Sequence, residues 1–242
     1  MLQTTRGIVF RTVKYSESSI IAKIYTETFG MQSFMVRGLR SKKSTLKQAL
    51  FQPLNLVEIV AYHRANKEIQ TLKEIKIAYP FSSIPFDIRK STQVLFLNEV
   101  LNQVVREEEP NPGLFEFLFE SFKHLENLDQ NIGLFHKVFL IQLTQYLGFF
   151  PRDNYAEDFP YFILEEGSFS NLDGPASLVS EKPFGNYISM LIRTSVFDCH
   201  KVKIPGSDRN RLLEIILDYY RYHIPDLREF KSHKVLQQVL AS

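Results

Sequence analysis

The chain of 242 residues has a single cysteine, Cys199, and no tryptophan. One thiol excludes an intrachain disulfide, and with it the stapled scaffold of a small secreted domain. No CxxC and no HExxH occurs and the six histidines are scattered. Cys199 beside His200 cannot readily turn both side chains to one ion, so no metal site is expected. No apolar run approaches the roughly 18 residues of a membrane span. The opening "MLQTTRGIVF" has no apolar h-region behind a basic start, so no signal peptide is expected and a reducing cytoplasm is the expected compartment.

Catalytic motifs are missing too. "GLRSKKST" superficially matches a phosphate-binding loop, yet it lacks the second glycine of GxxxxGK[ST], and no clear helix or acidic second motif follows. No GxSxG elbow exposes a serine nucleophile. Glu107, Glu108 and Glu109 are adjacent; on a helix end they spread over most of a turn instead of converging on one ion. A solvated helix end accounts for them. No set of residues for bond-breaking is visible, and the chain is expected not to be an enzyme and to need no cofactor.

What is present is an ordinary globular balance, 44% hydrophobic and 23% charged, enriched in Phe (21) and Tyr (11), which predicts a phenylalanine-rich core. The net charge of +2 conceals a division. Residues 1–80 hold 13 Lys and Arg against 5 Asp and Glu, a net +8, which leaves 16 against 22, a net −6, for the remainder. Such asymmetry predicts two domains, one of them facing a polyanion.

Short runs rich in Val, Ile, Phe and Tyr fill the first eighty residues: "GIVFRTV", "SIIAKIYT", "MQSFMVRG", "LNLVEIVAY" and "IQTLKEIKI". These predict five strands in a small antiparallel sheet or barrel, with an OB-type and an SH3-like barrel both open on strand count. Pro80 and Pro85 in "YPFSSIPFDIRKS" break the strand pattern. Beyond them Val94, Leu97, Leu101 and Val104, then Phe115, Leu118, Phe119, Phe122 and Leu125, repeat at helical spacing. "LFHKVFLIQLTQYLGFF" is apolar nearly all round and is placed at the centre of a bundle, stopped by Pro151. "YFILEEGSFS" predicts a hairpin turning at Glu165, Glu166 and Gly167, and helices resume near "GNYISMLIR". Ser207 or Asp208 is the expected cap of "RNRLLEIILDYYRYH", and Ser232 of the last helix. The reading is an α+β multidomain chain: a five-stranded barrel over 1–80, then a mainly helical domain over 81–242 with a hairpin insertion at about 155–175.

The segment "VRGLRSKKSTLKQ" gathers Arg37, Arg40, Lys42, Lys43 and Lys47 without one acid. Alternating signs would be more stable, so the charge points to a partner. Lys14, Lys23, Arg64, Lys67, Lys73 and Lys76 widen the positive field, and Tyr15, Tyr25, Phe29, Phe34 and Tyr62 are interleaved with it. Bases neutralise phosphates and release counterions, while an aromatic face under a base contributes about 1–3 kcal/mol without sequence preference. Arg37, Arg40, Lys42, Lys43, Lys47, Lys14 and Lys23 are therefore the expected nucleic-acid-binding residues. An adaptor whose basic domain binds an acidic protein or a structured RNA is the alternative.

"GIVFRTVKYSESSIIAKIYTETFG", "VRGLRSKKS" and "ALFQPL" resemble the opening of the RecO family, bacterial recombination mediators and DNA repair proteins. The residues that carry the likeness are Gly7, Tyr15, Glu17, Thr26, Gly30, Arg37, Gly38, Arg40, Lys43, Ser44, Gln52 and Pro53. "YLGFFP" and "REFKSHKVLQQVL" extend it over nearly the whole chain. The resemblance implies an OB-fold domain followed by a helical one and a non-enzymatic role. That role is to bind single- and double-stranded DNA, anneal complementary strands and help load RecA onto strands coated by single-strand-binding protein (SSB). Its implied partners are RecR and the acidic C-terminal tail of SSB, with the RecA filament an indirect one, in a nucleoid-associated cytoplasm. Many members carry a four-cysteine zinc site after the "LGFFP" landmark. Here "RDNYAEDFPYFILEEGSFSNLDG" has no cysteine, so the hairpin is expected to be held by Tyr155, Phe159, Tyr161, Phe162 and Phe169, without zinc. An SSB tail is acidic with an apolar end, so its pocket needs a base beside a hydrophobic cleft. The helical domain offers Lys123, Lys137, Arg209, Arg211, Arg221 and Arg228, and the sequence does not say which converge.

Overall fold

A computed structural model of the chain describes residues 2–37, 48–64, 66–106, 109–171, 180 and 182–241. Two compact units divide it, Met1–Glu126 and Asn127–Ser242. In the first, β1 (Leu2–Ser16), β2 (Ser19–Thr26), β3 (Gly30–Arg37), β4 (Leu56–Tyr62) and β5 (Ile69–Tyr79) close a barrel in the order β1-β2-β3-β5-β4. That is the connectivity of an OB fold, which resolves the choice that strand count left open.

Period-two alternation builds the barrel. Val9 of β1, Ala22 and Ile24 of β2, Phe34 and Val36 of β3, and Val57, Ile59 and Ala61 of β4 fill its interior together with Phe51. Each large side chain there contributes about 1.5–3 kcal/mol by leaving water. Gly7 pairs with Thr26 on one side and Val57 on the other. A Cβ at Gly7 would stand 2.6 Å from Ile24 Cγ2, and a β-branched side chain cannot swing clear. Glycine is what lets β1 pass so close.

One pairing departs from the antiparallel expectation. β3 and β5 run parallel over Ser33–Met35 and Ile69–Thr71. Parallel neighbours need a long crossover, and here the chain from Arg37 to Ile69, with β4 inside it, supplies one. β1 is also longer than its apolar run, reaching Ser16 as an exposed ribbon.

α1 (Ile88–Val104) starts at Asp87, whose carboxylate accepts from Arg89 N, and α2 (Pro112–Asn127) starts with a proline that needs no donor. Both pack in the first unit. Phe115 of α2 lies 6.1 Å from the ring of Tyr25. Arg6 is bound to Glu27 and to Glu116 of α2, with its guanidinium over Phe115 and Phe119. Between barrel and helices, the N–H groups of Ser82, Ser83 and Ile84 converge on the Glu126 carboxylate at 2.6–2.9 Å, while buried Lys90 donates to Ser83 Oγ and Glu126 O.

In the second unit α3 (Phe135–Leu147) is buried along nearly its whole length. The helix ends at Gly148 in the left-handed conformation (φ +85°), with its N–H on Thr144 O, so Gly148 and not Pro151 is the stop. α4 (Phe184–Arg193), a 3₁₀ segment (Val196–Lys201), α5 (Gly206–His223) and α6 (Ser232–Ala241) complete the unit. The amide of Gln142 on α3 donates to the carbonyls of Leu191, Ile192 and Thr194, closing the end of α4. α5 begins at Gly206 behind Pro205 with no side-chain cap. Ser207 and Asp208 lie inside its first turn, where Asp208 accepts from Tyr187 Oη and Ser207 Oγ.

β6 (Tyr161–Ile163) and β7 (Ser168–Ser170) form the expected hairpin. Asn154 grips Phe169 through both its N–H and its carbonyl, Ser180 does the same for Phe162, and Arg152 N donates to Gly167 O. Phe162 and Phe169 are buried against each other, with Tyr155 edge-on to Phe169 and Tyr219 edge-on to Phe162. Phe159 is 42% exposed and takes no part in that core. Among the described residues no group of three His, Cys, Asp or Glu side chains converges as metal ligands, and no helix is long and apolar enough to cross a membrane.

Candidate nucleic-acid interface

The cross-strand register decides which bases share a face. Arg11, Lys23 and Ser33 stand side by side on β1, β2 and β3, as do Val13, Ile21 and Met35, and Ser19 pairs with Arg37. Partners in register point the same way, so Arg11, Lys23 and Arg37 belong to one outward face, with Val13 (54% exposed) in the row between. Like charges directly opposite each other are unfavourable. Among the described residues no carboxylate pairs with Arg11, Lys23 or Arg37. The β4–β5 side is built differently: Lys76 is paired with Glu58 at 2.7 Å and Lys73 with Glu74 at 3.6 Å. Uncompensated charge therefore collects on the β1–β3 face.

Lys14 is not part of that face. It pairs with Ile20, in the row that continues through Ala22 into the barrel interior, and it emerges only because β1 outruns the core. Arg40, Lys42, Lys43 and Lys47 lie outside the described residues. Of the seven expected residues, Lys23 and Arg37 are thus brought together. Arg11 joins them although the sequence reading passed over it. Its direction is set by a bulge between Val9 and Arg11, a two-strand feature that no single run of sequence displays.

Beside this face is a groove of about 820 Å³. Lys23, Gln32 and Ser33 of the sheet, the β2–β3 turn at Thr28 and Phe29, the β4–β5 loop at His63 and Lys67, and Arg106 with Glu109 line it. OB folds present oligonucleotides with the β2–β3 face and the β4–β5 loop, and the groove has both. The imidazole of His63 lies flat on Phe29, centroids 4.0 Å apart and planes 11° apart. The Gln70 amide fixes that loop: its Oε1 accepts from Arg64 N, and its Nε2 donates to the carbonyls of Arg64 and Lys67. Among the interleaved aromatics Tyr25 and Phe34 are buried, whereas Tyr15 and Tyr62 are exposed.

The second unit carries a smaller cavity of about 150 Å³, lined by His136, Lys137, Arg209, Leu213, Leu236 and Leu240 among others. Of the six bases offered by the helical sequence, Lys137 and Arg209 converge here. Lys123 is instead paired with Glu120 and Arg221 with Asp218. Lys137 is buried with its Nζ 2.8 Å from His136 Nε2. Burial, helped by the Arg209 charge, pulls the Lys137 ammonium down to about 7. Burial, then Lys137 and Arg209, also holds the His136 imidazolium well below its usual range. A base at the rim and leucines on the walls suit an anionic group carried on an apolar stem.

Residues 1–81 match the family model described as recombination protein O N terminal, and residues 85–233 the one described as recombination protein O C terminal. The chain is 38% identical to the DNA repair protein RecO of Flavobacterium psychrophilum over 98% of both chains. It is 39% identical to that of Bacteroides fragilis over 99% of both, and 37% identical to that of Phocaeicola vulgatus over 100% of both.

Proposed function

The chain belongs to the RecO family of DNA repair and recombination proteins, and from that premise we propose that it works without breaking bonds, as a DNA-binding annealing mediator. The barrel over residues 1–80 binds single- and double-stranded DNA through Arg37, Arg40, Lys42, Lys43, Lys47, Lys23 and Arg11, with Lys14 at the margin. Two strands repel through their phosphates; a basic surface that holds both lowers that repulsion and concentrates them. The observation that carries this reading is the β1–β3 face beside the braced groove, where Arg11 and Lys23 are cross-strand partners, Arg37 points the same way next to Ser19, and among the described residues no carboxylate pairs with any of the three.

The helical domain over residues 81–242 then docks partners. With RecR, the protein assists RecA loading on SSB-coated DNA in a nucleoid-associated cytoplasm. The acidic, apolar-ended tail of SSB enters the cavity between Lys137 and Arg209, its carboxylates against the bases and its apolar end on Leu213, Leu236 and Leu240. What supports this is chemical fit: positive charge and apolar wall within one small opening.

The test is annealing of complementary strands pre-coated with SSB, with the parent and with the Arg11→Ala/Lys23→Ala/Arg37→Ala variant. The parent accelerates annealing and the variant loses most of that acceleration. Equal rates would refute the face. Indifference of the chain to DNA, with retained binding of an acidic protein or a structured RNA, would establish the adaptor reading in its place.

A further inference from the structure

Lys137 is an unusual group with which to line a docking cavity. It sits on the first turn of the central helix α3, buried. Its Nζ touches one nitrogen, His136 Nε2 at 2.8 Å, and lies 3.5 Å from Gly133 O. Among the described residues no carboxylate is one of its partners. The neighbouring elements confirm how few acids face it. On α5, Arg209 reaches the cavity and donates its Nε to Ile204 O. Asp208 of the same helix is held by Tyr187, and Glu214 by Gln237 and His233 of α6. On the 3₁₀ segment Asp198 is paired with Lys201, and on α4 Arg193 with Asp153. An ammonium in this position has lost its hydration and, among the described residues, faces a second cation, an imidazole and one distant carbonyl in place of a carboxylate.

Resting on the docking reading above, we propose that Lys137 is the residue that makes this cavity specific for a carboxylate and couples docking to protons: an anionic peptide group enters together with one proton taken up from water by the Lys137 amine. The balance is simple. The amine of the empty cavity gains one proton, a carboxylate arrives ionised, and nothing is released elsewhere. The geometry requires it, because a carboxylate between Lys137 and Arg209 supplies the missing opposite charge and stabilises the ammonium form. His136 stays neutral throughout, its Nε2 accepting from Lys137. The empty state favours the free amine at alkaline pH, since burial holds Lys137 near about 7, so docking weakens as pH rises through that value. An arginine in the same place would stay charged and show no such dependence.

The experiment is isothermal titration of the full chain with an N-acetylated oligo-aspartate peptide ending in phenylalanine with a free carboxylate. It is run from pH 6 to pH 8.5 in two buffers of different ionisation enthalpy. The peptide's own carboxyls do not titrate in that range. The ammonium fraction of the empty cavity falls from about 90% to about 3% across it, so affinity falls about thirtyfold. At pH 8 the heats in the two buffers differ by the amount for close to one proton taken up, and at pH 6 they nearly coincide. Lys137→Arg binds the peptide with affinity flat in pH and no uptake. Tight binding by the parent that is equally flat, with no buffer-dependent heat, overturns the proton coupling while the docking reading stands. Absence of binding at every pH overturns the docking reading, and the coupling with it. The parent in two buffers decides the matter even if the variant does not fold.

Discussion

Replacing Arg11, Lys23 and Arg37 with alanine removes three cations that share one barrel face, and the consequence is best read from salt dependence. Each phosphate neutralised on a single strand contributes about −0.7 to the slope of log affinity against log salt. If all three bases contact phosphates, the variant's slope is shallower by about 2. Between 50 and 200 mM salt the parent then loses about twentyfold more affinity than the variant. The assay is fluorescence anisotropy of a labelled oligonucleotide titrated at four salt concentrations. The control is Lys73→Ala/Lys76→Ala on the β4–β5 side, whose lysines are already paired with Glu74 and Glu58. Its slope changes by less than half as much. A control that flattens the slope as far as the triple variant would refute the assignment of free charge to the β1–β3 face. All three substitutions are at exposed or half-buried positions, so folding is retained and circular dichroism verifies it.

Two further outcomes concern stability. Glu126→Ala leaves the N–H groups of Ser82, Ser83 and Ile84 without their acceptor and lowers the urea unfolding free energy by about 2–4 kcal/mol. Burial pushes the Glu126 carboxyl up, but the Ile84, Ser82 and Ser83 N–H groups outweigh it and hold the group below its usual range. The stabilisation is therefore complete above the unfolded pKa and lost as pH falls through the folded one, so parent and variant converge in acid. In the hairpin, Asn154→Ala frees both sides of Phe169 and lowers the thermal midpoint by several degrees, whereas dialysis against a chelator leaves the parent's midpoint unchanged.

Much of the barrel can be read from the chain because strands are local: β-branched and aromatic runs separated by turn residues. What stays hidden is the register between strands. Lys14 and Lys23 read as one positive field, yet pairing with Ile20 and with Arg11 sends them to opposite sides of the β1–β2 ribbon. The parallel β3–β5 seam and the bulge that exposes Arg11 are relations between distant segments, and no window of sequence contains either. The end of α3 differs from the expected stop for a simpler reason: Gly148, able to adopt positive φ, ends the helix before Pro151 can act. Lys137 and Arg209 looked like two bases among six. Only the packing of α3 against α5 distinguishes them from Lys123 and Arg221, whose carboxylate partners lie one helical turn away.

The clasp around the hairpin has a consequence for chemical resilience. Thiolate ligands are among the first protein groups taken by peroxide, passing through sulfenic acid toward irreversible states. This hairpin is closed by amides, hydroxyls and phenyl rings. Cys199, buried with its thiol pushed up to about 12, offers almost no thiolate to react. The oxidants that scar DNA have little here to attack, so the clasp outlasts the conditions that call for repair.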